Sequence, residues 1–323
     1  MRFIQIVLII LILLGIVFAV GPRVDIDTTI HPRQLPQDLD SYLAESEAQF
    51  SDITPGAEKT IVWLNSATKT TTPISLVYVH GFSATRQEVA PLGDLVATQL
   101  NANLFYTRLT GHGRSDDALG EATVNDWLND TAEAIAIGEQ IGDGVVIMAT
   151  STGATLVTWM AANGHLSDKV RALVLVSPNF SPAAGTTEIL LWPWGEQITR
   201  SVVGPYVEGE PINDGHAQFW TTRYPVSALL PMMGSVKILR DSDLSTVTQP
   251  LLMLHSNTDV IINIDDVKQA FEEIDSTPKA LVAVETEDVR GHVLAGNIRS
   301  PDTTEPIAQQ IINFLNPILN PEE

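Results

Sequence analysis

The 323-residue sequence predicts an α/β fold, a mostly parallel sheet flanked by helices on both faces, with an inserted, mainly helical cap subdomain. Three observations predict it. From Thr60 onward, short β-rich apolar runs alternate with helix-period segments, the pattern of a parallel sheet covered on both sides. Hydrophobic residues make up 44% of the chain and charged ones 18%, enough for a sizeable core and too little charge for disorder. The stretch from Pro178 to Gln249 breaks the alternation and is too long to be a loop between neighbouring elements.

Taken in order, residues 1–21 read as a membrane anchor or a signal peptide. Phe3 to Val20 is apolar except for Gln5, long enough as a helix to span or nearly span a bilayer core. Val17-Phe18-Ala19 offers a cleavage site, whereas the unbroken run from Ile6 to Val20 favours an uncleaved anchor. In both cases, with Arg2 on the inner side, the rest of the chain is expected to be extracytoplasmic. Residues 22–59 are a lead-in punctuated by Pro32, Pro36 and Pro55, with a helix over Asp38 to Gln49.

A core domain follows, over 60–177 and 250–323. Its strands are predicted at Ile61 to Leu64, Ile74 to Val79, Leu104 to Thr107, Val145 to Ala149, Val170 to Val176, Leu251 to Leu254 and Ala280 to Val284. Helices are predicted at Arg86 to Leu100, Thr123 to Ile141, Thr152 to Asn163, Asp265 to Ile274 and Glu305 to Leu315, the second opening on a capping box at Thr123 and Asp126. Residues 178–249 form the cap, without a strong strand. Its Trp192, Trp194, Phe219, Trp220, Met232 and Met233 either line an apolar pocket or bury the cap against the core.

Charge excludes one class of partner. Eighteen Lys and Arg stand against 39 Asp and Glu, a formal charge of −21 without any basic run, so nucleic acid is not expected as a partner. The absence of Cys removes disulfides, thiolate metal sites and a Cys nucleophile. His31, His112, His165, His216 and His255 are scattered, Gly111-His112-Gly113 lacks the third glycine of a dinucleotide loop, and no P-loop occurs. No metal or other cofactor is expected.

The chemistry centres on Val145-Val146-Ile147-Met148-Ala149-Thr150-Ser151-Thr152-Gly153. An apolar strand runs into a Ser among small residues and then into a helical pattern, which places Ser151 on a sharp strand-to-helix turn, a nucleophile elbow. The helix end brings N–H groups and a positive dipole to the Ser; taken alone, the same pattern also describes a helix cap. Upstream, Leu76-Val77-Tyr78-Val79-His80-Gly81-Phe82 is a strand ending in His-Gly-aromatic. Gly81 permits a tight turn, leaving the Phe82 N–H free to hold an oxyanion together with the Thr152 N–H. His80 is read as structural support, as are Gly81 and Gly153.

These segments, with Gly111-His112-Gly113-Arg114-Ser115, resemble the α/β-hydrolase family over roughly Thr60 to Leu315, and among its members serine carboxylesterases and monoacylglycerol lipases. The cap inserted at Pro178 to Gln249 matches theirs, and Ala149 replaces the first Gly of their Gly-x-Ser-x-Gly pattern. The resemblance implies a Ser, acid, His order along the chain. Asp259, after the strand Leu251 to Leu254, falls where the family's acid stands, with Asp241, Asp243, Asp265 and Asp266 as competitors. His292, in the loop after the last strand, falls where its base stands. The implied function is hydrolysis of small-molecule or lipid esters through an acyl-enzyme on Ser151. Thioesterase, peptidase, C–C hydrolase or acyltransferase activity would use the same triad, and a non-catalytic binding protein is the alternative of a different class.

Overall fold

The structure, a computed structural model, describes residues 2–320; Met1, the Arg2 side chain and 321–323 lie outside the described residues. In chain order it contains α1 (Arg2–Ala19), α2 (Leu39–Glu47), β1 (Thr60–Val62), β2 (Thr72–Val79), α3 (Leu92–Leu100), β3 (Asn103–Tyr106), α4 (Val124–Ile141), β4 (Gly142–Thr150), α5 (Thr152–Ala162) and β5 (Val170–Val176). Then come α6 (Gly195–Val203), β6 (Tyr206–Glu208), α7 (Asp214–Phe219), β7 (Arg223–Pro225), α8 (Leu229–Arg240), β8 (Leu251–His255), α9 (Ile264–Glu273), β9 (Lys279–Ala283) and α10 (Pro301–Leu319).

Seven strands form one sheet in the order β1-β3-β2-β4-β5-β8-β9. All neighbours are parallel except β1, which runs antiparallel to β3 at the edge. The expected α/β fold is therefore found, and its cause is the two-residue period of a strand whose faces are both covered. Val77 and Val79 of β2, with Val145, Ile147 and Ala149 of β4, point into one core shared with Trp127 of α4, Leu156 of α5, Val236 of α8 and Val267 of α9. Leu76, Tyr78, Val146 and Met148 point into the other, against Val96 of α3 and Ile311 of α10. Fully burying one such aliphatic side chain is worth roughly 1.5–3 kcal/mol, several times an exposed ion pair at ~0–1 kcal/mol. Alternation of apolar faces, not surface charge, holds this sheet.

Two local departures from the expected elements have simple causes. The helix expected over Arg86 to Leu100 is split into a 3₁₀ turn at Arg86–Glu88 and α3, because Pro91 has no N–H to continue the ladder. The insert between β5 and β8, expected to lack a strong strand, contains the two-stranded antiparallel pair β6–β7. These strands are three residues each and half exposed, too short to show a period in the sequence.

The lead-in is stitched to the core by buried charge. Arg108 makes a double contact with Glu47, at 2.8 Å from both Nε and Nη2, and Lys59 meets Glu133 of α4. Burial pulls the Lys59 ammonium toward deprotonation, but the carboxylates of Asp130 and Glu133 outweigh it and hold its pKa above the usual value.

At the N-terminus, every side chain from Phe3 to Val20 is exposed. Among the described residues, however, no helix is long and apolar enough to cross a membrane. With 18 residues, α1 rises only about 27 Å against a hydrocarbon core of about 30 Å. The segment expected to span or nearly span a bilayer is thus an exposed apolar helix. Its end is tied to the insert: Trp194 donates its ring N–H to Val17 O at 2.9 Å and its backbone N–H to Pro22 O at 2.8 Å.

Candidate active site

Parallel strands leave their C-terminal ends on one edge of the sheet, and there the loops after β2, β4, β5, β8 and β9 meet. Ser151 caps α5 directly after β4, with φ 51° and ψ −116°. This strained, left-handed φ turns the chain so sharply that α5 passes against the end of β2. Gly153 is what permits the approach, since a Cβ there would lie 2.3 Å from Val79 O and 2.6 Å from His80 O.

The structure brings together three of the predicted residues in one chain of hydrogen bonds. The Ser151 hydroxyl lies 3.0 Å from His292 Nε2, and His292 Nδ1 lies 2.7 Å from Asp259 Oδ2. The Asp259 side chain is fully buried, and its Oδ1 accepts the N–H groups of Ile261 and Ile262 at 2.8 and 3.2 Å. Such a carboxylate has only the imidazole left to satisfy its second oxygen. It therefore accepts a hydrogen bond from Nδ1–H, which keeps the ring proton there and leaves Nε2 as a bare acceptor for the Ser hydroxyl. The competing carboxylates lie elsewhere: Asp241 pairs with Lys237, Asp243 caps a 3₁₀ turn, and Asp265 and Asp266 open α9.

The loop bearing His292 is held from three sides. Asp288 Oδ2 accepts the N–H of His292 at 2.8 Å and of Val293 at 3.0 Å, while its other oxygen meets Arg299. Burial opposes ionisation of Asp288, but these N–H groups and Arg299 hold its pKa below the usual value. The Ser177 hydroxyl donates to His292 O at 2.7 Å. Gly291, at φ +66°, crosses the loop of Asp259 so closely that a Cβ would sit 2.6 Å from Thr258 O. Sequence reading missed Asp288; its spacing of four before His292 was the available signal.

On the other side of Ser151, the backbone N–H groups of Phe82 and Thr152 donate to no other group among the described residues. Beneath them His80 is fully buried, with Nε2 accepting the Leu109 N–H at 3.0 Å and Nδ1 donating to Gly81 O at 2.9 Å. Burial pushes its pKa down to about 4, so it is neutral and both nitrogens are committed to holding the loop. His112, from the segment Gly111-His112-Gly113, packs edge-on to His80 at 4.8 Å and Phe82 at 6.1 Å.

Glu88, which sequence reading did not single out, is also buried here. Its Oε1 accepts the Tyr78 hydroxyl and the Gly81 N–H, both at 2.7 Å, and Tyr78 meets Thr150 Oγ1 at 2.9 Å. The carboxyl thus ties the ends of β2 and β4 together. Burial raises its pKa to about 7, only partly offset by those two hydrogen bonds. The sign follows from linkage. A carboxyl whose folded pKa exceeds its unfolded value contributes stability that is full below about 4.5 and is lost as pH rises through about 7. At ~1.36 kcal/mol per pKa unit, the loss is about 3 kcal/mol. Glu88→Gln should therefore gain about that much on wild type between pH 4.5 and 8 in urea unfolding; parallel pH dependences would show that Glu88 ionises freely in the fold.

Ser151, His292, Phe82 and Thr152 line a cavity of about 260 Å³ shared with the insert through Trp220, Tyr224 and Met232. A larger depression of about 600 Å³ lies at the opposite ends of the strands, around Pro73, Gly144 and Asn316, away from Ser151. Of the other apolar residues noted in the insert, Trp192 is largely exposed and Met233 is fully buried in the core.

Comparison with known proteins agrees with this layout. Residues 76–304 match the alpha/beta hydrolase family. The thermostable monoacylglycerol lipase of Bacillus sp. (strain H-257) is 23% identical over 212 residues, covering 65% of this chain and 80% of that protein. Among solved structures, one from work on the metagenome-derived lipolytic enzymes LipS and LipT superimposes with a TM-score of 0.67 at 19% identity, covering 82% of this chain and 99% of that one. The monoacylglycerol lipase of Paleococcus ferrophilus gives 0.59 at 16% identity, covering 81% and 99%. With a sheet of this order, Ser151 on its strained elbow and a family match over most of its length, the chain belongs to the alpha/beta hydrolase family.

Proposed function

We propose that this protein hydrolyses carboxylic esters, small-molecule or lipid, through an acyl-enzyme on Ser151. The observation that carries the reading is the Ser151–His292–Asp259 hydrogen-bond chain beside two unengaged N–H groups. The monoacylglycerol lipase and lipolytic relatives support the ester as substrate. His292 Nε2 takes the hydroxyl proton as Ser151 Oγ attacks the ester carbonyl, and Asp259 stabilises the imidazolium. The Phe82 and Thr152 N–H groups bind the tetrahedral oxyanion. His292 then returns the proton to the leaving alcohol oxygen; a water, deprotonated by the same imidazole, attacks the acyl carbon, and the carboxylic acid leaves as the imidazolium gives the proton back to Ser151 Oγ.

A rate survey over p-nitrophenyl esters of increasing acyl length, with a monoacylglycerol and an acyl-CoA, tests the substrate class. The reading expects ester turnover exceeding thioester turnover. Turnover of the acyl-CoA alone would transfer the site to thioesters.

We further propose that the catalytic domain lies outside the cytoplasm, held at a lipid surface by α1. The support is an apolar helix exposed along its length whose end is bonded to Trp194, an arrangement that favours retention of the segment over cleavage. Mass spectrometry of the mature protein decides: a chain starting at Val20 would sink the attachment.

A further inference from the structure

The cavity around Ser151 has a wall that the hydrolytic steps do not use, and this wall offers hydrogen-bond donors. His216 is buried, and its Nδ1 accepts the Ile212 N–H at 3.1 Å, so the ring proton sits on Nε2. Burial first, then the nearby Arg299 and Arg290, push its pKa down to about 4, and the ring stays a neutral donor at physiological pH. Tyr224 stands edge-on to Phe82 with ring centres 5.2 Å apart, and its hydroxyl has no hydrogen-bond partner among the described residues. Two guanidinium groups complete the wall. Arg299, with a side chain only 6% exposed, spends one amino group on Asp288. Arg290, two residues before His292, has neither an ion pair nor a side-chain hydrogen bond among the described residues, although the chain as a whole carries −21.

The carboxylates facing this wall cancel only part of its charge, leaving that of Arg290 uncompensated. Asp288 is occupied by Arg299 and two backbone N–H groups. Asp259 is occupied by His292. Glu88, across the cavity, has its pKa raised to about 7 by burial, and its Oε1 is occupied by the Tyr78 hydroxyl and the Gly81 N–H. A donor-rich wall carrying the uncompensated charge of Arg290 leaves hydrogen-bonding capacity unmet when a purely apolar or neutral group lies against it, and an acceptor-rich anion satisfies it.

We propose that Arg290, Arg299, His216 and Tyr224 form an anion-binding subsite, so that the preferred substrates carry a carboxylate or a phosphate beside the scissile ester. The proposal rests on the ester-hydrolase reading of Ser151 and narrows its substrate class. Arg290, free of partners and exposed at the rim, is the residue whose removal tests it with least risk to the fold.

The test compares matched esters: p-nitrophenyl butyrate with mono-p-nitrophenyl succinate, and a 1-monoacylglycerol with the same lipid bearing a 3-phosphate. The wild type should show a higher kcat/KM for the anionic member of one pair, and which pair responds tells carboxylate from phosphate. Arg290→Gln should lower that anionic-to-neutral ratio about tenfold or more, mainly through KM, and Arg290→Lys should restore much of it. Equal rates for both members in the wild type, or a ratio unchanged in Arg290→Gln, would overturn the subsite while leaving the esterase reading intact. If no ester is turned over, the esterase reading fails instead. Calorimetric titration of succinate and inorganic phosphate into full-length Ser151→Ala then decides: binding lost on adding Arg290→Gln supports the subsite, and no binding removes it.

Discussion

Ser151→Ala is expected to lower ester turnover by about six orders of magnitude in kcat, the scale on which a triad nucleophile acts, and to abolish labelling by a fluorophosphonate probe. Without the hydroxyl no covalent intermediate can form, and His292 has no proton to withdraw. The two free N–H groups at Phe82 and Thr152 remain, so a residual rate above that in water is expected from oxyanion binding alone. The fold should be unaffected. Ser151 sits at φ 51°, a strain that Ala bears as Ser does, and in this structure the lost oxygen bonds only His292 among side chains. An unchanged melting temperature together with lost labelling is the expected pair of results. Labelling of Ser151→Ala equal to the wild type would remove Ser151 as nucleophile.

Asp259→Asn is expected to cost about 10⁴ in kcat at neutral pH, the size of a tautomer error in such a triad. The structure says why the replacement is so damaging. Asp259 Oδ1 is fixed by the Ile261 and Ile262 N–H groups. An Asn keeps its carbonyl oxygen there and must turn its NH₂ toward His292 Nδ1. Donor then faces donor unless the ring moves its proton to Nε2, where it blocks the Ser151 hydroxyl. His292→Ala removes the base outright and should cost at least as much. Asp288→Asn acts differently, because Asp288 holds the backbone of the His292 loop and touches no reacting atom. Its loss should loosen the loop and lower stability while sparing more of the rate. Steady-state kinetics on all three variants would decide, and a larger rate loss for Asp288→Asn than for Asp259→Asn would reassign the acid.

Much of this was legible along the chain. The strands at Val145 to Ala149 and Val170 to Val176 are visible because apolar residues on consecutive positions leave no other place for them than a sheet buried on both faces. Ser151 between Thr150 and Gly153 is visible for a similar local reason: strand, small residues and helix follow one another within ten positions, and only a tight turn joins them. Asp259 and His292 were less direct. Nothing in their immediate sequence distinguishes them from other loop carboxylates and imidazoles, and the resemblance to a family order selected them. The β6–β7 pair and the break at Pro91 show the opposite limit, where an element is shorter than the window in which its period can be read.

The sequence by itself determined the alternation of elements, the sharp turn at Ser151 and the absence of thiol chemistry, because each depends on neighbours in the chain or on residue counts. The tertiary structure decided what long-range approach decides. It placed His292 3.0 Å from Ser151, 141 residues away in the chain, and buried Glu88 under the Gly81 turn, which raises its pKa to about 7. It gave Asp288 to the His292 loop and left Arg290 without an ion pair among the described residues at the cavity rim. Burial and charge separation are properties of distance in space, and spacing in sequence carries them only where a strand or helix fixes the geometry between.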